Sequence, residues 1–279
     1  MMTIEEIIRQ AIKEDIGSGD HSTLLSVPET AYGRAELLIK ENGILAGLNI
    51  ALEVFNQIDP SLKTQIFIKD GEAVKKGDVV FLLDGKVRSI LMSERLMLNI
   101  MQRMSGIATK THCFCKLIKG THARLLDTRK TTPNMRILEK MAVVIGGGYN
   151  HRMGLYDMIM LKDNHIDYAG GMKFAIKKAD EYIKSNNFDL KIEIETRSLK
   201  DVEEVLLLGG FHRIMFDNFT VSDVKKGVEM VSGRYETEAS GNIDERTIRK
   251  YAQTGVDFIS VGALTHSVKS LDMSLKAIV

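Results

Sequence analysis

Residues 191–231 hold Lys191-Ile192-Glu193-Ile194-Glu195, an apolar pattern over 199–208, then Arg213-Ile214-Met215-Phe216-Asp217 and a second pattern over 221–231. Each five-residue strand candidate, the first alternating and the second a short apolar run, leads into apolar residues at helical spacing, so strand is followed by helix twice over. Strands alternating with helices are expected to lie parallel and to be joined by right-handed crossovers. The same rhythm extends outward. Strands are expected at 123–127, 157–162, 234–238 and 257–261, and helices at 134–145, 172–185 and 244–254. Six strands in this order suit a (β/α) barrel; either it is incomplete or two of the usual eight strands escape the pattern.

Upstream of 108 the pattern changes. Helices are expected over 1–14 and 48–58, and strands over 31–40, 64–69 and 78–83, with turns at Asp70-Gly71, Lys76-Gly77 and Asp84-Gly85. A helix over 93–104 follows, with Ser93 as its N-cap. Its Arg95, Asn99 and Arg103 are four apart and share one stripe. That stripe reads as a solvated face, with a role facing an anion as the alternative. The expected organisation is α/β: an N-terminal α+β sandwich domain over 1–108, and an incomplete (β/α) barrel over 109–279. A last helix is expected to return to the first domain.

Composition excludes several classes. A formal charge of +1 over 279 residues argues against a nucleic-acid binder, which usually carries a basic excess. Cys113 and Cys115 stand one residue apart, which is neither a disulfide framework nor a usual zinc spacing, so they read as reduced thiols of a cytoplasmic protein. The N-terminal stretch has no basic start and no continuous apolar core, unlike a signal peptide. No run approaches the roughly 20 apolar residues of a membrane span.

In a (β/α) barrel the chemistry lies at the C-terminal strand ends. Those ends here carry Asp127-Thr128-Arg129-Lys130, Lys162-Asp163-Asn164-His165, Glu195, Asp217-Asn218, Ser240-Gly241-Asn242 and Gly262-Ala263. Between 124 and 162 lie seven cations, Arg124, Arg129, Lys130, Arg136, Lys140, Arg152 and Lys162, against three acids. A ligand with several negative charges is implied, since arginine's planar fork suits carboxylates and phosphates. Glu195 and Asp217 would repel such a ligand without a divalent cation, and oxygen ligands beside phosphate suggest Mg²⁺ held mostly through water. Ser260-Val261-Gly262-Ala263, ahead of a helix expected near Ser267, pairs with Ser240-Gly241-Asn242 as a phosphate clamp. Gly146-Gly147-Gly148 lacks the ending of a P-loop and reads as a helix stop with a close backbone approach. Asn218-Phe219-Thr220 matches a glycosylation sequon that a cytoplasmic chain would not use.

The segments Asp127-Thr128-Arg129-Lys130-Thr131-Thr132-Pro133, residues 146–155 from Gly146-Gly147-Gly148 to Leu155, and Leu161-Lys162-Asp163-Asn164-His165 closely resemble the quinolinate phosphoribosyltransferase family. Residues 14–20, Glu94-Arg95 with Asn99, 105–109 and 260–263 extend the resemblance over nearly the whole chain. It implies an enzyme, a pentosyltransferase. Phosphoribose would pass from phosphoribosyl pyrophosphate to quinolinate with loss of carbon dioxide, for NAD biosynthesis. It further implies substrate contacts from Thr128, Arg129, Lys130, His151, Arg152 and Lys162, and a homodimer in which the partner supplies Arg95; a higher assembly of dimers stays open. Glu195 and Asp217 match the acids near ribose and Mg²⁺. Ser240, Gly241, Asn242, Val261, Gly262 and Ala263 match the contacts of the 5′-phosphate. Lys130, Glu195 and Asp217 are the implied catalytic groups. Asn134 stands where the family would have glycine. A Schiff-base lyase using Lys130 or Lys162, and a non-catalytic anion sensor or molybdenum-linked paralogue that binds a phosphorylated ligand without turnover, are the rival readings.

Overall fold

The computed structural model describes residues 2–278; Met1 and Val279, the first residue of the expected first helix and the last of the expected barrel, lie outside the described residues. In chain order come α1 (Ile4–Ile16), α2 (His21–Ser26), β1 (Tyr32–Ile39), β2 (Gly43–Ile44), α3 (Leu48–Ile58), β3 (Lys63–Ile66), β4 (Ala73–Val74), β5 (Val79–Lys86) and α4 (Val87–Ile118). Then follow β6 (Arg124–Leu126), α5 (Arg136–Ile145), β7 (Ile159–Leu161), α6 (Asp163–Ala169), α7 (Met172–Asn186), β8 (Ile192–Thr196) and α8 (Leu199–Leu208). The remainder is β9 (Arg213–Asp217), α9 (Val221–Val231), β10 (Glu236–Ser240), α10 (Ile248–Ala252), β11 (Phe258–Ser260), α11 (Ala263–His266) and β12 (Met273–Ile278).

The chain forms two compact units. Unit 1 takes the residues up to His112, Thr131–Gly147 and the residues from Leu264 on. Unit 2 takes Cys113–Lys130 and Gly148–Ala263. Neither is one continuous stretch, because α5 and the last segment return to the first unit.

Unit 1 is built on an antiparallel sheet in the order β12-β1-β5-β3. Alternation along β1 buries Ala35, Leu37 and Ile39 on one face. The amphipathic α3 presents Ile50, Ala51, Val54 and Phe55, and Phe55 meets Phe81 of β5 edge to face at 5.7 Å. The last segment is a strand, not the expected helix; β12 pairs with β1 in the register Leu37↔Leu275. Asp84-Gly85 is not a turn but part of β5, opposite Arg34 and Gly33 of β1. The helix expected over 93–104 runs 32 residues from Val87, so Ser93 lies inside it and donates its hydroxyl hydrogen to the Ile90 carbonyl. The polar stripe divides. Arg95 and Asn99 are exposed, whereas Arg103 donates through Nη2 to Glu139 Oε1 at 2.8 Å and to the Thr265 carbonyl at 2.7 Å. Glu139 is buried and also accepts the Thr132 N–H. Asn134 takes φ 63°, the left-handed conformation that the missing glycine would take. Gly146 caps α5, and a side chain there would strike Ala108 and Thr111, while Gly147 takes φ 96°, so the first two glycines have a structural reason of their own.

Unit 2 is the incomplete barrel: six parallel strands in the order β6-β11-β10-β9-β8-β7. The strands β6 and β7, neighbours in sequence, form its two edges, and Tyr149 bridges to Leu126 on the free side of β6. Thr220 and Ser198 start α9 and α8 by accepting N–H groups three residues on. No helix among the described residues is long and apolar enough to cross a membrane.

Candidate active site

Parallel strands bring their C-terminal ends to one edge, and residues two apart in a strand share a face. On that basis Glu193 and Glu195 share a face of β8, Arg213 and Asp217 a face of β9, and Glu238 and Ser240 a face of β10. Register sets Glu193 opposite Arg213, and Ser240 opposite Asp217. The strands therefore carry two charged tiers. The upper one, at the strand ends, has Glu195, Asp217 and Ser240. The lower one has Glu193, Arg213 and Glu238.

The upper tier gathers the cations. Lys162, just past β7, places Nζ 3.0 Å from Glu195 Oε2, and its N–H donates to His165 Nδ1 at the start of α6. Asp127 is fully buried; its N–H donates to the Tyr149 carbonyl and its Oδ1 accepts the His151 N–H at 2.8 Å. One carboxylate thus ties the loop carrying Thr128, Arg129 and Lys130 to the segment carrying His151 and Arg152. The Thr128 hydroxyl accepts the Lys130 N–H within that loop. Arg152 is buried and donates to the Met158 carbonyl. Burial, and then the repulsion of Arg129, weaken its hold on its proton. Arg124 opens β6 at the opposite strand end and stacks on Tyr149, and Arg136 and Lys140 belong to unit 1, with Lys140 fully buried in α5.

His151 differs from an exposed cation. Its ring is buried, with Nε2 3.2 Å from Glu193 Oε2 and 3.4 Å from Glu238 Oε2. Nδ1 accepts the Arg152 N–H at 2.7 Å. Burial opposes a charged ring, but the two carboxylates outweigh it and push the pKa up to about 9. Burial and the facing Glu238 push Glu193 up, while His151 and Arg213, against burial, hold Glu238 down. The ligand atoms of these three residues lie within 4.8 Å of one another, as in a metal site, but Arg213 Nη1 stands 2.9 Å from Glu238 Oε2 and 3.6 Å from Glu193 Oε2 and supplies the positive charge. Sequence reasoning missed this tier. Its signal was the alternation in Lys-Ile-Glu-Ile-Glu, which turns Glu193 to the same face as Glu195.

The expected phosphate loops close β10 and β11, which are adjacent and parallel. Gly241 has φ 99° and Asn242 φ 50°. The Val261 N–H is bound to the Leu126 carbonyl. A four-residue helix, α11, starts at Ala263 instead of the helix expected near Ser267. Arg95 lies on α4 in unit 1, exposed.

Residues 20–105 match the N-terminal domain of quinolinate phosphoribosyl transferase, and residues 107–276 match its C-terminal domain. The chain belongs to the quinolinate phosphoribosyltransferase family. Among relatives in that family, the chloroplastic nicotinate-nucleotide pyrophosphorylase (carboxylating) of Arabidopsis thaliana is 46% identical over 98% of this chain and 82% of its own. The mitochondrial quinolinate phosphoribosyltransferase (decarboxylating) 2b of Nicotiana tabacum is 45% identical over the same shares. The crystal structure of NadC from Streptococcus pyogenes matches with a TM-score of 0.93 and 39% identity, covering 100% of this chain and 99% of its own.

Proposed function

We propose that the chain transfers phosphoribose from phosphoribosyl pyrophosphate to the ring nitrogen of quinolinate, releasing carbon dioxide and pyrophosphate and giving nicotinate mononucleotide for NAD biosynthesis. The observation that carries this reading is the buried Asp127 carboxylate, which binds the His151 N–H and so holds the buried Arg152 beside the loop of Arg129 and Lys130 at the strand ends. Quinolinate has two adjacent carboxylates, and such a group of cations suits both. The phosphate of the second substrate goes to the 240–242 and 261–263 loops. Glu195 and Asp217 stand where positive charge develops on the ribose as pyrophosphate leaves. Glycosylation makes the ring nitrogen cationic, so the neighbouring ring carbon can lose carbon dioxide without an organic cofactor. Lys130 is assigned to that developing carbanion.

Glu195 and Asp217 fit a Mg²⁺ ion held through water, since they are hard oxygen donors on neighbouring strands and Mg²⁺ needs only one or two carboxylates. Bound with pyrophosphate, the ion would neutralise charge on the leaving group. The active assembly is a homodimer in which the partner supplies Arg95, an exposed arginine on a largely apolar helix. The cytoplasm, which keeps Cys113 and Cys115 reduced, is the assigned compartment. A Schiff-base lyase acting through Lys162 is disfavoured, because Lys162 is ion-paired with Glu195 and such chemistry needs a neutral amine. Formation of nicotinate mononucleotide from quinolinate, phosphoribosyl pyrophosphate and Mg²⁺ tests the proposal; no product with folded protein refutes it.

A further inference from the structure

Asn218 follows Asp217 at the end of β9 and touches more of the site than its neighbours do. Its Nδ2 donates to Asp217 Oδ2 at 2.8 Å. Its Oδ1 accepts from Asn242 Nδ2 at 3.0 Å. Its backbone N–H donates to the Ser240 carbonyl at 2.8 Å. The backbone at 218 is left-handed, with φ 56°, as it is at Asn242, with φ 50°. A side chain at Gly241 would come within 2.9 Å of the Asn218 nitrogen and run into its amide.

These contacts fix which way the amide points. An ionised Asp217 only accepts, so it must face the Asn218 NH₂ group. Asn242 offers its own NH₂ group and so must face the Asn218 oxygen. Turning the amide over would set oxygen against carboxylate and donor against donor. Glycine at 241 lets the loop after β10 lie close enough to hold Asn218 there. The acid at the end of one strand is thereby tied to the loop at the end of the next.

We propose that Asn218 is a positioning residue for Asp217: it holds the carboxylate in fixed relation to the Ser240-Gly241-Asn242 loop, so the loop assigned to the substrate's phosphate also sets the acid assigned to its ribose. This rests on the proposed roles of Asp217 and that loop. The same sugar phosphate spans both, so a fixed spacing between them aligns charge with the reacting carbon. Residue 218 itself acts through Asp217 and touches no reacting atom.

The test is a double-mutant cycle on the full-length protein, with turnover and both KM values measured. Asn218→Gly keeps a residue at ease in the left-handed region. It should lower kcat roughly ten- to hundredfold, the range expected for one hydrogen bond to a charged group. The quinolinate KM should change less than about twofold, because positioning acts on the transition state rather than on this substrate's binding. Asn218→Asp keeps the size and the acceptor for Asn242 but replaces the donor with a like charge; it should lose at least as much turnover. In an Asp217→Ala background, read in long incubations, Asn218→Gly should cost less than about twofold, because its partner is already gone. Wild-type turnover in Asn218→Asp overturns the inference. So does an Asn218→Gly loss that is undiminished in the Asp217→Ala background while Asp217→Ala alone is impaired; the role of Asp217 then stands. If Asp217→Ala alone keeps full turnover, the role of Asp217 and this inference fall together.

Discussion

Lys162 Nζ lies 3.0 Å from Glu195 Oε2, so the cation assigned to the acidic substrate is already held by the acid assigned to the ribose. Lys162 remains about half exposed while Glu195 is buried, so the pair can turn the lysine to an incoming carboxylate without uncovering the acid. Glu195→Gln and Asp217→Asn should each lower kcat more than they weaken quinolinate binding. Steady-state assays at limiting Mg²⁺ check this; full activity in both variants contradicts the assignment.

Arg152 is expected to govern the choice between acids. Nicotinate lacks the carboxylate beside the ring nitrogen, and binding it would leave a buried cation without its anion. That costs roughly 2–5 kcal/mol, a discrimination of at least about thirtyfold against nicotinate. Arg152→Ala should weaken quinolinate binding strongly and narrow the gap. Apparent affinities for both acids, in the wild type and the variant, give the answer; equal use of the two acids by the wild type sinks the idea.

A shared site predicts complementation. Arg95→Ala and Lys130→Ala should each be inactive alone, and mixing them should restore part of the activity, because a hybrid dimer regains one intact site. Subunit exchange confirmed by mass spectrometry, with no recovery, would count against the partner's contribution.

His151 makes stability depend on pH. Its folded pKa of about 9 lies above the unfolded value near 6.5, so the folded chain binds the extra proton more tightly. That contribution is fully present below pH 6.5 and is lost as the pH rises through 9. The urea midpoint should therefore fall across this window. Glu238→Gln removes one of the two carboxylates facing the ring and should flatten the fall, while Arg213 keeps Glu236 as a partner. An unchanged slope in the variant would show that another group carries it.

Arg103 should be worth more to stability than a surface arginine. Removing it leaves the buried Glu139 carboxylate uncompensated, which costs roughly 3–5 kcal/mol. Thermal unfolding of Arg103→Ala should show this. Arg103→Ala combined with Glu139→Leu should recover most of the loss, because no buried charge is then stranded.

The strand–helix rhythm was legible because each element has its own period. The bounds expected for α3, α8, β9 and α9 are those observed. At the strand ends, residue type alone drew attention to Arg129, Lys162 and Asp217, and Asp217 closes β9 as its pattern suggests. What was not legible depended on distant partners. Arg103 looks solvated until Glu139, thirty-six residues on, comes up beside it. The segment at 273–278 alternates Met273, Leu275 and Ala277 with Ser274 and Lys276, a short strand pattern that the expectation of a last helix passed over. The register of β10 lies two residues later than its local pattern suggests, which makes Ser240 part of the strand. Asn218 reads as a sequon because its neighbours in sequence, Phe219 and Thr220, are not the residues it bonds through its amide.

The pairing of β12 with β1 has a bearing on how the chain is made. Synthesis delivers β1, β3 and β5 early, then all of unit 2, and only afterwards the strand that completes the first sheet. While the ribosome is still translating unit 2, β1 has one bare edge, and bare edges recruit other strands. Unit 2, whose residues are all delivered before β12, is free to fold first, and unit 1 must hold its open sheet until then. The nascent chain is thus open to wrong association for as long as β1 waits for β12.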